Sequence, residues 1–188
     1  MFMHNFRKIR FACLLLGLML STPVWADSSR WILVDSASHT LTVLTTNNRV
    51  LARFDNISLG RGGVAPVHYR GDDTTPQGEF RIWQIRPSAQ FGMFYELDYP
   101  TPAHAKLAWQ AGKIDQPTFD SITQANLNHQ PPRRDTALGS EIGIHGLGHG
   151  NAIIHKQYDW TSGCVALTNS QLRHLTRWVK PGMRVVIR

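Results

Sequence analysis

Cysteine is nearly absent from this chain. Its 188 residues contain two, Cys13 and Cys164, and Cys13 lies in a segment that reads as removable. The remaining thiol then has no intramolecular partner, which excludes a structural disulfide. Long hydrophobic runs are also missing. The apolar stretch at residues 11–20 falls short of the about 20 residues that a permanent membrane span needs. Acidic side chains are the minority, 13 against 20 Lys and Arg, for a formal net charge of +7. No Lys/Arg run is interleaved with aromatics, so nucleic acid is not an expected partner. The basic excess suits an anionic polymer such as a cell wall, although many soluble proteins share it. Internal repeats and low-complexity tracts are lacking.

What is present begins with a secretion signal. Arg7, Lys8 and Arg10 precede the apolar stretch, and Val24-Trp25-Ala26 offers a small-x-small cleavage site before Asp27. The expected organisation is a signal peptide over 1–26 and one domain over 27–188, exported to the periplasm and free of the membrane after cleavage. Such a domain is long enough for its own core.

The mature N-terminal half is strand-rich. Residues 31–35 and 40–44 carry apolar and β-branched runs around a turn at 35–39, and 50–59 and 79–85 read as further strands. A polar, glycine-rich loop at 60–78 separates the last two. Antiparallel meander connections fit this spacing. Helical spacing predicts helices over 101–112 and 117–128. The whole stretch 86–140 reads as an insertion that covers or edges the site, or as a packing layer. The C-terminal part predicts a strand at 141–145, a strand at 164–167, a helix opened by the capping box Thr168-x-x-Gln171, and a strand at 183–187. The fold class is mainly β with short helices.

The chemistry concentrates in two strings. Cys164 follows Trp160-Thr161-Ser162-Gly163 and opens an apolar strand; His145 ends the strand Ile142-Gly143-Ile144 and precedes Gly146. A thiol after glycine, with one well-placed imidazole, is the minimum kit for acyl transfer through a thioester. A packed, inert core thiol is the competing reading. Gly163 lets the backbone turn sharply, so N–H groups there can converge on an oxyanion. Thr161 and Ser162 keep the approach polar, and a helix starting near Thr168 would favour thiolate. The Gly146 carbonyl can orient the imidazole. His149 and His155 are rival bases, but Gly146, Gly148 and Gly150 argue against a helix presenting a metal pair. No Asp, Glu or Cys stands at zinc-ligand offsets, so neither metal nor cofactor is expected. Trp160 is the tryptophan placed to line the pocket. Arg133 and Arg134 are candidates for substrate carboxylates, with solvated surface charge as the alternative.

These strings resemble the signature of L,D-transpeptidase catalytic (YkuD-type) domains. The Gly71-Asp72-Asp73-Thr74-Thr75-Pro76-Gln77-Gly78-Glu79-Phe80 stretch is similar to a second family motif, and the matched pieces run in order from Trp31 to Arg188. The resemblance implies a β-sandwich-like fold and a cysteine peptidyl transferase acting on peptidoglycan stem peptides. It maps the nucleophile to Cys164, the base to His145, the base-orienting position to Gly146, and the oxyanion-hole backbone to Ser162, Gly163 and Cys164. Trp160 and Thr161 would contact substrate. Two positions depart from the family pattern: Ser162 stands where histidine is frequent, and Ala166 where arginine is frequent, which removes a carboxylate anchor. The resemblance implies crosslinking or attachment of a wall-anchored lipoprotein, with stem-peptide hydrolysis or a catalytically silent wall-binding module as alternatives.

Overall fold

Strand β1 (Arg30–Asp35) alternates as its sequence predicts: Ile32 and Val34 are wholly buried while their neighbours are partly open. It pairs antiparallel with β2 (Thr40–Thr45), which pairs antiparallel with β3 (Val50–Asp55). The structure is a computed structural model, described over residues 29–130 and 134–188. The expected signal peptide and Arg133 lie outside the described residues.

The 60–78 loop holds only the two-residue strands β4 (Val64–Ala65) and β5 (Thr75–Pro76). It leads into β6 (Gly78–Ser88), followed by β7 (Gly92–Leu97), α1 (Pro102–Gln110) and α2 (Gln116–Leu127). Next come β8 (Gly143–Gly146), α3 (Ala152–Gln157), β9 (Val165–Leu167), α4 (Asn169–Leu175) and β10 (Arg184–Ile187). Eight strands form one sheet in the order β3-β2-β1-β10-β6-β7-β8-β9. β6 serves two neighbours in succession: residues 78–81 pair with β10, and from Ile82 onward it pairs with β7 through a register shift between Ile82 and Gln84. Bulges of this kind bend a sheet. Residues from both parts form one hydrophobic cluster, including Ile32, Val43, Phe80, Ile82, Ile144, Val165 and Val185. Each such side chain contributes about 1.5–3 kcal/mol on burial.

Three expectations need correction. The 86–140 stretch is not an insertion as a whole, because β7 lies inside the sheet between β6 and β8. Glu96, buried at 4% exposure, disguises that strand as polar. The connections are not all antiparallel, since β1 pairs with β10 and β8 with β9 in parallel. The predicted strand 50–59 breaks at Asn56, whose φ of 56° turns the chain out of β3. Beyond that break Ser58 bridges antiparallel to Ala166, exchanging N–H to carbonyl bonds of 3.0 and 2.8 Å. The chain leaving one sheet edge is thereby joined to the strand at the other.

Candidate active site

β8 and β9 bring the predicted nucleophile and base together. Their register sets His145 opposite Ala166 and Ile144 opposite Val165. Side chains two apart on a strand share a face, so Cys164, at the entry to β9, projects on the face that carries His145. The Cys164 sulfur donates to the Glu141 carbonyl at 3.4 Å. Cys164 keeps part of its surface open to solvent, but its sulfur is packed closely enough that burial pushes the thiol up to about 12, opposed by a hydrogen bond from the Gly143 backbone. The expected helix-dipole stabilisation of thiolate does not prevail; burial does. Burial thus favours the neutral thiol at this position.

His145 is 2% exposed. Its Nδ1 lies 2.7 Å from the Gly146 carbonyl, an acceptor only, so Nδ1 carries the proton and the neutral ring has Nε2 as its basic atom. Burial depresses the imidazole below its ordinary value, opposed by that same bond. Phe91 stacks on the ring at 4.0 Å and Trp160 meets it edge-on at 5.8 Å. Phe91 comes from the β6–β7 turn, within the stretch read as an insertion, and no sequence pattern pointed to it. Trp160 Nε1 donates to His155 Nδ1 at 3.1 Å, which fixes the indole beside the base. Gly146 has no room for a side chain: an added Cβ would lie 2.8 Å from both Asn169 Oδ1 and the Phe91 carbonyl.

A family model described as YkuD, L,D-transpeptidase catalytic domain, matches residues 29–187. The chain belongs to that family. No curated protein matches it in sequence. Among solved structures it is similar to the helical cell shape determining protein Pgp2 from Campylobacter jejuni (16% identity, TM-score 0.59, covering 86% of this chain and 48% of that one). It is also similar to Bd1075 of Bdellovibrio bacteriovorus (16%, 0.54, 86% and 48%) and to a mutant Enterococcus faecium L,D-transpeptidase (14%, 0.50, 86% and 50%). The chain thus spans about half the length of these proteins, and the likeness establishes the shared fold.

Within this L,D-transpeptidase-family domain, the turn before Cys164 is held from behind by the Gly71–Gly78 loop. Gly163 has φ +122°, and a Cβ there would come within 2.7 Å of the Thr74 carbonyl and 2.9 Å of Ile142 Cδ1. The Ser162 side chain hydrogen-bonds Asp73, whose carboxyl lies below the usual range chiefly because Arg61 pairs with it. His68, 5% exposed, backs the same turn, its Nδ1 at 2.8 Å from the Thr74 carbonyl and 2.9 Å from Asp72 Oδ1. Sequence reasoning missed His68; the adjacent aspartates of the loop motif were its only signal.

Thr161 is 3% exposed, and its hydroxyl is used inside the turn. Its hydroxyl donates to the Cys164 carbonyl at 2.6 Å and accepts from the Gly163 N–H at 3.2 Å. That use of the Gly163 N–H narrows the expected oxyanion donors to Ser162 and Cys164. Ala166 is fully buried and committed to the Ser58 bridge, so no substrate anchor arises there. Arg134 reaches Glu141 Oε1 at 2.9 Å, near the thiol. Among the described residues no three His, Cys, Asp or Glu side chains gather so that they could hold a metal ion.

The Gly163→Ala variant is expected to lose about 2–3 kcal/mol, combining left-handed backbone strain with overpacking against Thr74 and Ile142. Urea unfolding followed by circular dichroism measures it. A midpoint indistinguishable from wild type would mean that the turn is looser than this packing requires.

Proposed function

We propose that the domain is a cysteine acyltransferase of peptidoglycan stem peptides. The observation that carries this reading is the β8–β9 register, which puts Cys164 and His145 on one face with the imidazole locked as the Nε2 base. Cys164 Sγ attacks the carbonyl carbon of the amide joining the L-centre of a diamino acid to a terminal D-alanine, while His145 Nε2 takes the thiol proton. The N–H groups of Ser162 and Cys164 receive the oxyanion. The C–N bond then breaks, His145 returns the proton to the departing amine, and a thioester remains on Cys164. A second stem's amine converts it to a crosslink, a lipoprotein lysine to a wall attachment, and water to a trimmed stem. Each acceptor regenerates the thiol. Export to the periplasm by a cleaved signal would place the enzyme beside this substrate, and no helix among the described residues is long and apolar enough to cross a membrane.

Transfer is favoured over the catalytically silent wall-binding alternative because the base is oriented and the thiol turn is rigidly built, neither of which mere binding requires. Intact-mass analysis after incubation with a carbapenem tests the reading. One adduct per chain, on Cys164, is expected. A natively folded protein of unchanged mass would overturn it.

A further inference from the structure

Two arginines converge on the carboxylate of Glu141, the residue whose backbone carbonyl meets the Cys164 sulfur. Arg86 Nη2 and Arg134 Nη1 converge on the same oxygen, Glu141 Oε1, at 3.2 and 2.9 Å. The two guanidiniums come from separated parts of the chain, one from β6 and one from the segment leading to β8, so this is a tertiary pairing. Both are held from below. Glu96, with a 6% exposed side chain, lies 3.5 Å from Arg86 Nε and 3.4 Å from Arg134 Nη2, and the Arg86 guanidinium sits over the Phe94 ring at 4.5 Å. The Glu141 side chain is half exposed and can swing into water at little cost. Its backbone carbonyl is the group that accepts from Cys164 Sγ at 3.4 Å. One residue therefore links the sulfur to the arginine pair, and the pair stands within a residue's length of the nucleophile.

We infer that Arg86 and Arg134 form the subsite for the free carboxylate of the acyl donor's terminal residue, and that Glu141 is an internal stand-in which substrate displaces. The inference rests on the proposed acyl transfer and names what that site selects. In a peptide attacked at its last amide bond, the terminal carboxylate lies three bonds from the attacked carbon, so a carboxylate receptor must adjoin the sulfur. Planar guanidiniums in a forked arrangement suit that group. With Ala166 sealed in the sheet, the arginine pair provides the anchor that position lacks.

The test separates binding from chemistry. In a Cys164→Ala background, affinity is measured by calorimetry for a tetrapeptide stem ending in D-alanine and for its C-terminal amide. The acid is expected to bind at least about tenfold tighter than the amide. Arg86→Met, which keeps the hydrocarbon packing on Phe94, should collapse that ratio toward one, and Arg86→Lys should restore part of it. Glu141→Gln should tighten acid binding by removing the competitor. Thermal melts of each variant establish folding. An acid-to-amide ratio that is near one in the parent, or unchanged by Arg86→Met and Glu141→Gln in folded protein, would overturn the subsite, even if Cys164 acylates normally. A carboxylate preference that depends on Arg86, in a protein whose Cys164 never acylates, would instead uphold the subsite and defeat the acyl-transfer reading.

Discussion

Replacing Cys164 with alanine is expected to remove the acyl-enzyme adduct entirely and to lower turnover by on the order of 10⁴-fold or more, to the level of background hydrolysis. No neighbouring group can substitute. The Ser162 hydroxyl is engaged with Asp73, and Thr161 Oγ1 is bonded to Cys164 and Gly163 within the same turn. The fold should survive, because a small apolar side chain replaces a small thiol, and the sulfur gives up only its long bond to the Glu141 carbonyl and the one it receives from the Gly143 backbone. Muropeptide analysis of purified sacculi treated with wild type and variant measures the loss. It also shows which acceptor wild type uses: crosslinked dimers, protein-linked stems or tripeptides. Products that persist with Cys164→Ala would mean that the sulfur is not the nucleophile.

His145→Gln has the next largest effect, and its signature is a pH profile. Burial pushes the thiol up to about 12, so at neutral pH the thiol form is favoured over thiolate. Wild-type catalysis then depends on His145 removing the proton during attack. That requires neutral imidazole, which burial favours by depressing its pKa. Wild-type kcat/KM is therefore expected to fall on acidification through a value below the ordinary imidazole pKa of about 6.5, and to be flat above it. Glutamine keeps an amide that can bond the Gly146 carbonyl but has no base. The variant should lose about 10²–10⁴-fold at neutral pH. Its residual rate should lack the acid limb and climb about tenfold per pH unit as thiolate forms. A variant that retains the wild-type acid limb would assign the base to another group, with His155, linked to the site through Trp160, the first to test.

The strands β1, β2 and β10 and the start of α4 were legible because apolar, β-branched runs and a capping box are local patterns, whereas the parallel pairing of β1 with β10 joins the two ends of the domain and was not. Thr168 and Gln171 do form the reciprocal cap, worth about 0.5–2 kcal/mol. Cys164, His145 and Gly146 stood out as candidates because each reactive side chain sits beside a glycine at a strand end, and the Gly146 carbonyl does lie within bonding reach of the imidazole. β7 was hidden because Glu96 interrupts its apolar run, and although it forms a hairpin with β6, its other partner β8 is remote in sequence. Helix α3, six residues long, carries too little periodicity to read, and its cap at Asn151 is recognised only once the side chain is seen accepting from Ile153 and Ile154. The use of Thr161 inside the turn was hidden for a related reason. Its hydroxyl looks available in sequence, whereas the turn geometry that consumes it depends on the positive φ of Gly163. Phe91, His68 and Arg86 reach the site from distant segments, and nothing local marks them.

The junction between Ser58 and Ala166 makes reactivity a property of the finished fold. Beside it, the Leu59 N–H donates to Asp159 Oδ1 at 2.7 Å across 100 residues of chain, and Thr161 bonds back to Leu59 and Arg61. The segment bearing the sulfur is thus stitched to the opposite end of the domain. Contacts so remote in sequence form late in folding. A truncated or half-assembled polypeptide would carry the same cysteine without the geometry that arms it, so acylation can double as a stringent reporter that the domain has closed.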